Sequence, residues 1–277
     1  MREIEHAGCI GSAPTQAKQF LTLLAEPQTG CVELRVLQAG WDRHGNIRRA
    51  VDLGLQQGGW TLAGWYTDLD RLAASARRLR GVSGYVTINP VQPDLLARSD
   101  HRQSRVRHTS RDQDIVCLRW LYLDIDPVRP PDISSTDAEL AKAVARRDAI
   151  LAENPVLAAS ALWGRSGNGA WVLVRLPDYP NDAASRALVA EAVHLISRRY
   201  SDAAVLIDPA TVNPARLIGL PGTLKAKGSA RPERPFRLVT LDGIGTHAAT
   251  LAPGHARTLA SERGTVETSR RVLCDVT

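Results

Sequence analysis

The sequence is short of several things, and each shortage excludes something. Its four cysteines, Cys9, Cys31, Cys117 and Cys274, lie far apart and form no Cys-x-x-Cys pair. That argues against a structural zinc site or a disulfide framework. No apolar run approaches the roughly 20 residues that cross a bilayer. The first residues carry Glu3 and Glu5 where a signal peptide would be basic, so a cytoplasmic chain with no membrane partner is expected. Methionine occurs once, phenylalanine twice and lysine at four positions, whereas arginine and alanine are abundant. A GC-rich genome would give the same bias, so composition by itself says little about partners.

What is present is ordinary for a folded protein. The 277 residues are 44% hydrophobic and 23% charged, enough for one large or two modest domains with their own cores. Net charge is +6, compatible with a polyanionic partner. The placement of charge is more informative than its sum. Arg98, Arg102, Arg105, Arg107 and Arg111 occur with two histidines against the single acid Asp100. A second cluster, from Arg216 to Arg237, holds six basic residues against Glu233. Each cluster reads either as a solvated face or as a nucleic-acid contact.

Along the chain, residues 1–30 are polar and irregular around a short amphipathic piece, Ala17 to Leu24, and read as a loosely attached arm or helix. Strands are expected at Cys31–Leu37, Gly64–Tyr66 and Gly84–Pro90, with a helix over Leu69–Leu79 capped by Asp68. Thr136 and Glu139 form a capping box that opens a helix running to about Glu153. Ala161 to Trp163 leads into a glycine-rich turn, and strands at Ala170–Leu176 and Ala203–Asp208 follow. Between the last two, a helix over Ala183–Tyr200 should bury Leu188, Ala192, Leu195 and Ile196. The order predicts a mixed α/β fold, one sheet with helices on one face. Beyond Asp242 the periodicity ends.

Ile115 to Ile125 reads as a buried strand that closes on Asp124-Ile125-Asp126-Pro127. Alternation puts Asp124 and Asp126 on one face, and Pro127 is expected to stop the ladder there. Two acids beside an apolar run repel unless a cation lies between them, and a hard divalent metal suits oxygen ligands. The alternative is a surface Asp-x-Asp at a turn. Asp208, at the end of another strand, is a turn residue when taken alone. Together the three acids have the makings of a two-metal phosphoryl-transfer site. Ser166-Gly-Asn168-Gly169 reads first as a hairpin turn and second as a loop that offers backbone N–H groups to phosphate. Arg216, Lys225 and Lys227, holding half of the lysines, make a triphosphate cradle.

In their order, Asp124-Ile-Asp126-Pro, Ser166-Gly-Asn-Gly169, Ile207-Asp208 and Asn213-Pro-Ala-Arg216 through Gly222-Thr223-Leu-Lys225-Ala-Lys227-Gly resemble the motifs of the archaeo-eukaryotic primase superfamily. The likeness is to the primase-polymerase domains of plasmid, phage and mobile-element replication proteins, over residues 30 to 241. It implies an RRM-like palm joined to an N-terminal α/β module, placed here at 111–245 and 31–110, with an arm at 1–30 and a tail at 246–277. It implies template-directed nucleotidyl transfer, with Asp124, Asp126 and Asp208 holding Mg²⁺ or Mn²⁺. Arg165, Ser166, Asn168, Arg216, Lys225 and Lys227 would meet the incoming NTP or dNTP. The arginines at 98, 102, 105, 107 and 111 would hold a single-stranded template or primer-template.

One position departs from the family. Its second motif ends in a histidine, and this chain has Trp171. An indole offers one N–H and no charge, so Trp171 either stacks on the nucleotide or packs into the core. A nucleotide- and DNA-binding module without activity is therefore the second reading, and a metal-dependent nuclease the third. No Gly-x-x-x-x-Gly-Lys-Ser/Thr motif occurs, so a helicase would lie on a separate chain or on a missing continuation.

Overall fold

A computed structural model describes residues 13–247, apart from 56, 57, 227 and 229, with the backbone alone at 13 and 14. The first element is α1 (Ala13–Ala25). Its Phe20, Leu21 and Leu24 are fully buried in the largest core cluster. The helix expected around Ala17–Leu24 forms, but it is not loosely attached, because burying three large apolar side chains outweighs the polar flanks; residues 1–12 lie outside the described residues.

Apolar–polar alternation builds the first sheet. Strand β1 (Val32–Trp41) pairs antiparallel with β2 (Ile47–Arg49) and with β3 (Trp60–Tyr66). Helix α2 (Leu69–Ala76) follows, its first N–H groups capped by the Asp68 carboxylate. Strand β4 (Tyr85–Thr87) pairs with the other edge of β1, and β5 (Ser104–Arg105) with β3.

The second sheet follows the β-α-β-β-α-β pattern. Its elements are β6 (Cys117–Pro127), α3 (Asp137–Glu153), the short α4 (Pro155–Ala159), β7 (Ala161–Arg165), β8 (Ala170–Pro180), α5 (Ala183–Tyr200) and β9 (Val205–Ile207). In space the order is β7-β8-β6-β9 with antiparallel neighbours, the split arrangement of ferredoxin-like and RRM-like domains. The capping box on α3 forms as read, Thr136 accepting from the Glu139 N–H and Glu139 from the Thr136 N–H. Strand β10 (Leu217–Gly219) then returns to the first sheet and pairs with β4, giving the order β10-β4-β1-β3-β5. Strands β11 (Leu224–Lys225) and β12 (Arg237–Leu238) pair with each other, and β13 (Thr240–Ile244) flanks β7.

The two sheets meet across the largest core. Trp120, Tyr122, Trp171 and Leu173 on one face of the second sheet pack with Leu34, Val86 and Ile218 of the first and with α1. The opposite face, Leu121, Leu123, Ile125, Val172 and Val174, lies under α3 and α5. On α5 the buried residues are Val189, Ala192, Val193 and Ile196, whereas Leu188 stays 38% exposed. The contact arc of this alanine-rich helix is rotated by about one residue from the expected one. Pro127 does not stop the ladder either: it pairs with Val205, and the Val128 N–H donates to the Ala204 carbonyl. The missing N–H of Pro127 falls where β9 needs no donor and β8 has already ended.

Candidate active site

Register decides which side chains share the cleft between the sheets. Asp124 pairs with Trp171 and Ile125 with Ala170, so the even-numbered residues near the end of β6 face the first sheet and the odd ones face the helices. Asp124 and Asp126 thus project on the same side. Asp208 follows β9, and its N–H donates to the Asp124 carbonyl at 3.0 Å. Thr211 fixes the corner, its hydroxyl donating to the carbonyls of Tyr122 and Asp208, both at 3.0 Å. Asp208 also keeps its turn role, accepting from the Ala210 N–H at 2.9 Å.

Arg216 enters from the opposite sheet, one residue before β10. Its Nη2 lies 3.8 Å from Asp124 Oδ2 and 3.7 Å from Asp208 Oδ2, and its guanidinium sits over the Tyr122 ring at 5.7 Å. Its Nε is buried with no acceptor. Arg129, in the proline-rich connector, reaches Asp126 Oδ1 at 3.3 Å. Lys225 donates to the Tyr85 hydroxyl at 3.3 Å and rests over that ring. Burial first, and the neighbouring charge of Asp126 second, push Asp124 up to about 6 against the pull of Lys225 and Arg216. Burial also raises the Tyr122 hydroxyl well above its usual range.

The donor set fits a hard divalent cation in kind. All three acids offer carboxylate oxygens, and Asp124 is raised by burial first and by the charge of Asp126 second, an environment that a bound cation would relieve. Gly169 adds room, since a Cβ there would stand 2.5 Å from Asp126 Oδ1. As arranged, no group of three or more His, Cys, Asp or Glu side chains among the described residues is disposed to hold a metal. Arg216 reaches both Asp124 and Asp208 instead.

Other expected site residues lie elsewhere. Ser166 to Gly169 is a hairpin turn: the Ser166 N–H donates to the Gly169 carbonyl, the Gly169 N–H to Ser166 Oγ, and Gly167 takes a φ of 91°. Its N–H groups at 166 and 169 are spent within the turn. Asn168 is buried and accepts from the Ser135 N–H at 3.4 Å. Arg165 pairs with Ala170 and so lies on the helix side of the sheet, away from Asp124, where its Nε reaches Asp242 Oδ2 at 3.2 Å. Trp171 does face the cleft side but is fully buried, edge-on to Phe20 at 5.7 Å, over Gly164 where a Cβ would clash with its ring. Of the two roles open to Trp171, the core one holds. Lys227 lies outside the described residues.

The arginines at 98, 102, 105, 107 and 111 are all exposed. Arg105 does not flank the acids in space. Strand β5, which carries Arg105, is the edge of the first sheet opposite β10, four inter-strand steps or about 19 Å away. Sequence reading missed Tyr122, Arg129 and Tyr85. Arg129 alone had a local signal, lying three residues beyond Asp126.

No protein-family model matches the sequence, and no curated protein does. Solved structures are similar to it. The primase-polymerase (AEP) domain of cyanophage S-2L is 13% identical with a TM-score of 0.38, over 86% of this chain and 97% of that one. The catalytic domain of primase RepB′ in complex with initiator DNA is 11% identical, also at 0.38, over 88% and 96%. No helix among the described residues is long and apolar enough to cross a membrane.

Proposed function

We propose that this chain is the nucleotidyl-transfer core of a DNA primase-polymerase. The observation that carries this reading is that Asp124 and Asp126 project from one face near the end of β6, with Asp208 bonded to the Asp124 backbone, and that Arg216 of the first sheet reaches Asp124 and Asp208. The three carboxylates would hold Mg²⁺ or Mn²⁺, which when bound supplies Lewis-acid polarisation of the phosphate and of the attacking 3′-hydroxyl. Arg216 then exchanges its carboxylate partners for the triphosphate, for which its unspent Nε donor and planar fork are suited. Lys225 adds a second cation on the same side. The 3′-oxygen bonds to the α-phosphorus as the bond to pyrophosphate breaks.

A nucleotide- and DNA-binding module without activity is favoured by one observation. Trp171 fills the motif position with an indole sealed into the core, so no side chain there reaches a phosphate. Extension of a primed single-stranded DNA by labelled dNTPs or NTPs, with Mg²⁺ and separately Mn²⁺, separates the two. Synthesis by the wild type that falls to background in Asp124→Ala/Asp126→Ala supports the polymerase. Nucleotide and DNA binding without synthesis under either metal leaves the binding module. Strand cleavage without nucleotides would instead make the acids hydrolytic.

A further inference from the structure

Away from the acids, the far end of β1 carries a second set of residues with a chemistry of its own. Trp41, the last residue of β1, and Trp60, the first of β3, lie 6.5 Å apart with their rings tilted by 35°. Trp41 is 38% exposed, a large ring open to solvent on part of its surface. The guanidinium of Arg105 stacks over Trp60 at 5.0 Å. Between β1 and β2 the chain turns on Asp42, whose carboxylate accepts from the N–H groups of His44 and Asn46. That turn holds out Arg43 and His44, with Arg48 beside them on β2, and all three are exposed. Apart from Arg105, which borders it over Trp60, these residues line, with Leu53 and Leu55, an open basin of about 550 Å³. Glycine at position 40 lets Leu53 and Leu55 pack close against β1, since a Cβ there would stand 2.9 Å from Leu55 and 3.0 Å from Leu53.

Arg48 and Arg105 form no ion pair with any described residue, and Arg43 donates only to His44. Asp42, the acid in the basin, has its oxygens engaged in the turn but keeps its charge, and Asp52 is paired with Arg49. Arg43, Arg48 and Arg105 outnumber Asp42, so the patch carries net positive charge, with aromatic faces set among the cations. A duplex hides its base faces, whereas an unpaired strand offers both a face to stack and a phosphate beside it.

We propose that Trp41, Trp60, Arg43, Arg48 and Arg105 form a binding platform for single-stranded nucleic acid, separate from the carboxylate cleft. The register places Arg216 level with Val32, nine residues before Trp41 on the same strand. At about 3.3 Å per residue that separation is about 30 Å. A stacked strand rising roughly 3.4 Å per nucleotide covers it with about nine nucleotides, within the roughly 4–16 that single-strand binders occupy. The platform does not depend on whether the acids are catalytic.

The test is fluorescence anisotropy of labelled dT20 with the full chain, beside rU20 and a 20-base-pair duplex, from 50 to 300 mM salt. Trp41→Ala should weaken dT20 binding about 10-fold, and Trp41→Phe should restore most of it, because loss of one stacked base is worth roughly 5- to 150-fold. Arg43→Ser/Arg48→Ser, both at exposed positions, should lower the salt slope by about 1.4, or 0.7 for each phosphate contact released. A preference for rU20 over dT20 with the same variant effects would assign the platform to RNA. Binding that treats duplex and dT20 alike, or that neither variant alters, overturns the proposal. A protein that forms a dimer broken by Trp41→Ala, and whose dT20 affinity is unchanged, would make the patch a protein interface and overturn it equally. Loss of extension in the polymerase assay would leave all these outcomes readable.

Discussion

With no divalent ion in the buffer, the charge on Asp124 is opposed by burial and by Asp126, and the consequence has a definite sign. Its pKa of about 6 lies above the roughly 3.9 of an unfolded chain. Between those values the native state binds the extra proton, so stability falls as pH rises through that window and the full penalty is present at pH 7. About a quarter of the side chain stays exposed, so the cost is discounted to the order of 2 kcal/mol. Asp124→Asn should therefore raise the thermal midpoint in EDTA by about 5 °C at pH 7, and leave it nearly unchanged at pH 4. Equal shifts at the two pH values, read by differential scanning fluorimetry, would remove this account of the site. Added Mn²⁺ should stabilise the wild type more than the variant. That Asp124 and Asp126 share one face was legible in the sequence, because strand alternation alone sets it. Arg216 was legible as part of a triphosphate cradle, and was tied to the same site through the family resemblance, not by spacing. Arg216 comes from another sheet, and its approach to Asp124 and Asp208 depends on a strand pairing that no local pattern announces.

At the scale of elements, caps and long strands could be read and short strands could not. Asp68, the Thr136–Glu139 box and the run into Asp124 each carry a physical signature within a few residues. Strands β10, β11 and β12, of two or three residues, are too short to show alternation. The burial of α1 was hidden because Phe20 finds its partner Trp171 only in the folded chain. The hairpin joining β7 and β8 shows how tightly that corner is built. A Cβ at Gly164 would stand 1.9 Å from the Thr240 carbonyl oxygen and 2.6 Å from the Trp171 ring. Gly164→Val should accordingly cost about 3 kcal/mol or more by forcing strands β7 and β13 apart, measured as a shift of the urea midpoint. A shift below about 0.5 kcal/mol would mean that the indole of Trp171 has room to move and is not locked in the core.

For the whole molecule, the decisive fact is that the cleft has walls from two sheets that share strands out of chain order. The first sheet takes β10 from beyond the second, so residues 31–110 do not complete it. A fragment covering residues 13–215 should lack cooperative unfolding, since it leaves β4 as a bare edge and removes Ile218 and Leu220 from the core. A sharp calorimetric transition in that fragment would show that the first sheet is self-sufficient. The same return of β10 bears on how the protein is made. At about 5–20 residues per second, a ribosome spends many seconds on residues 88 to 216 after β4 has emerged. Throughout that interval the unpaired edge of β4 is open to any passing strand, so a chaperone that shields nascent β edges should matter more for the yield of this protein than its size alone would suggest.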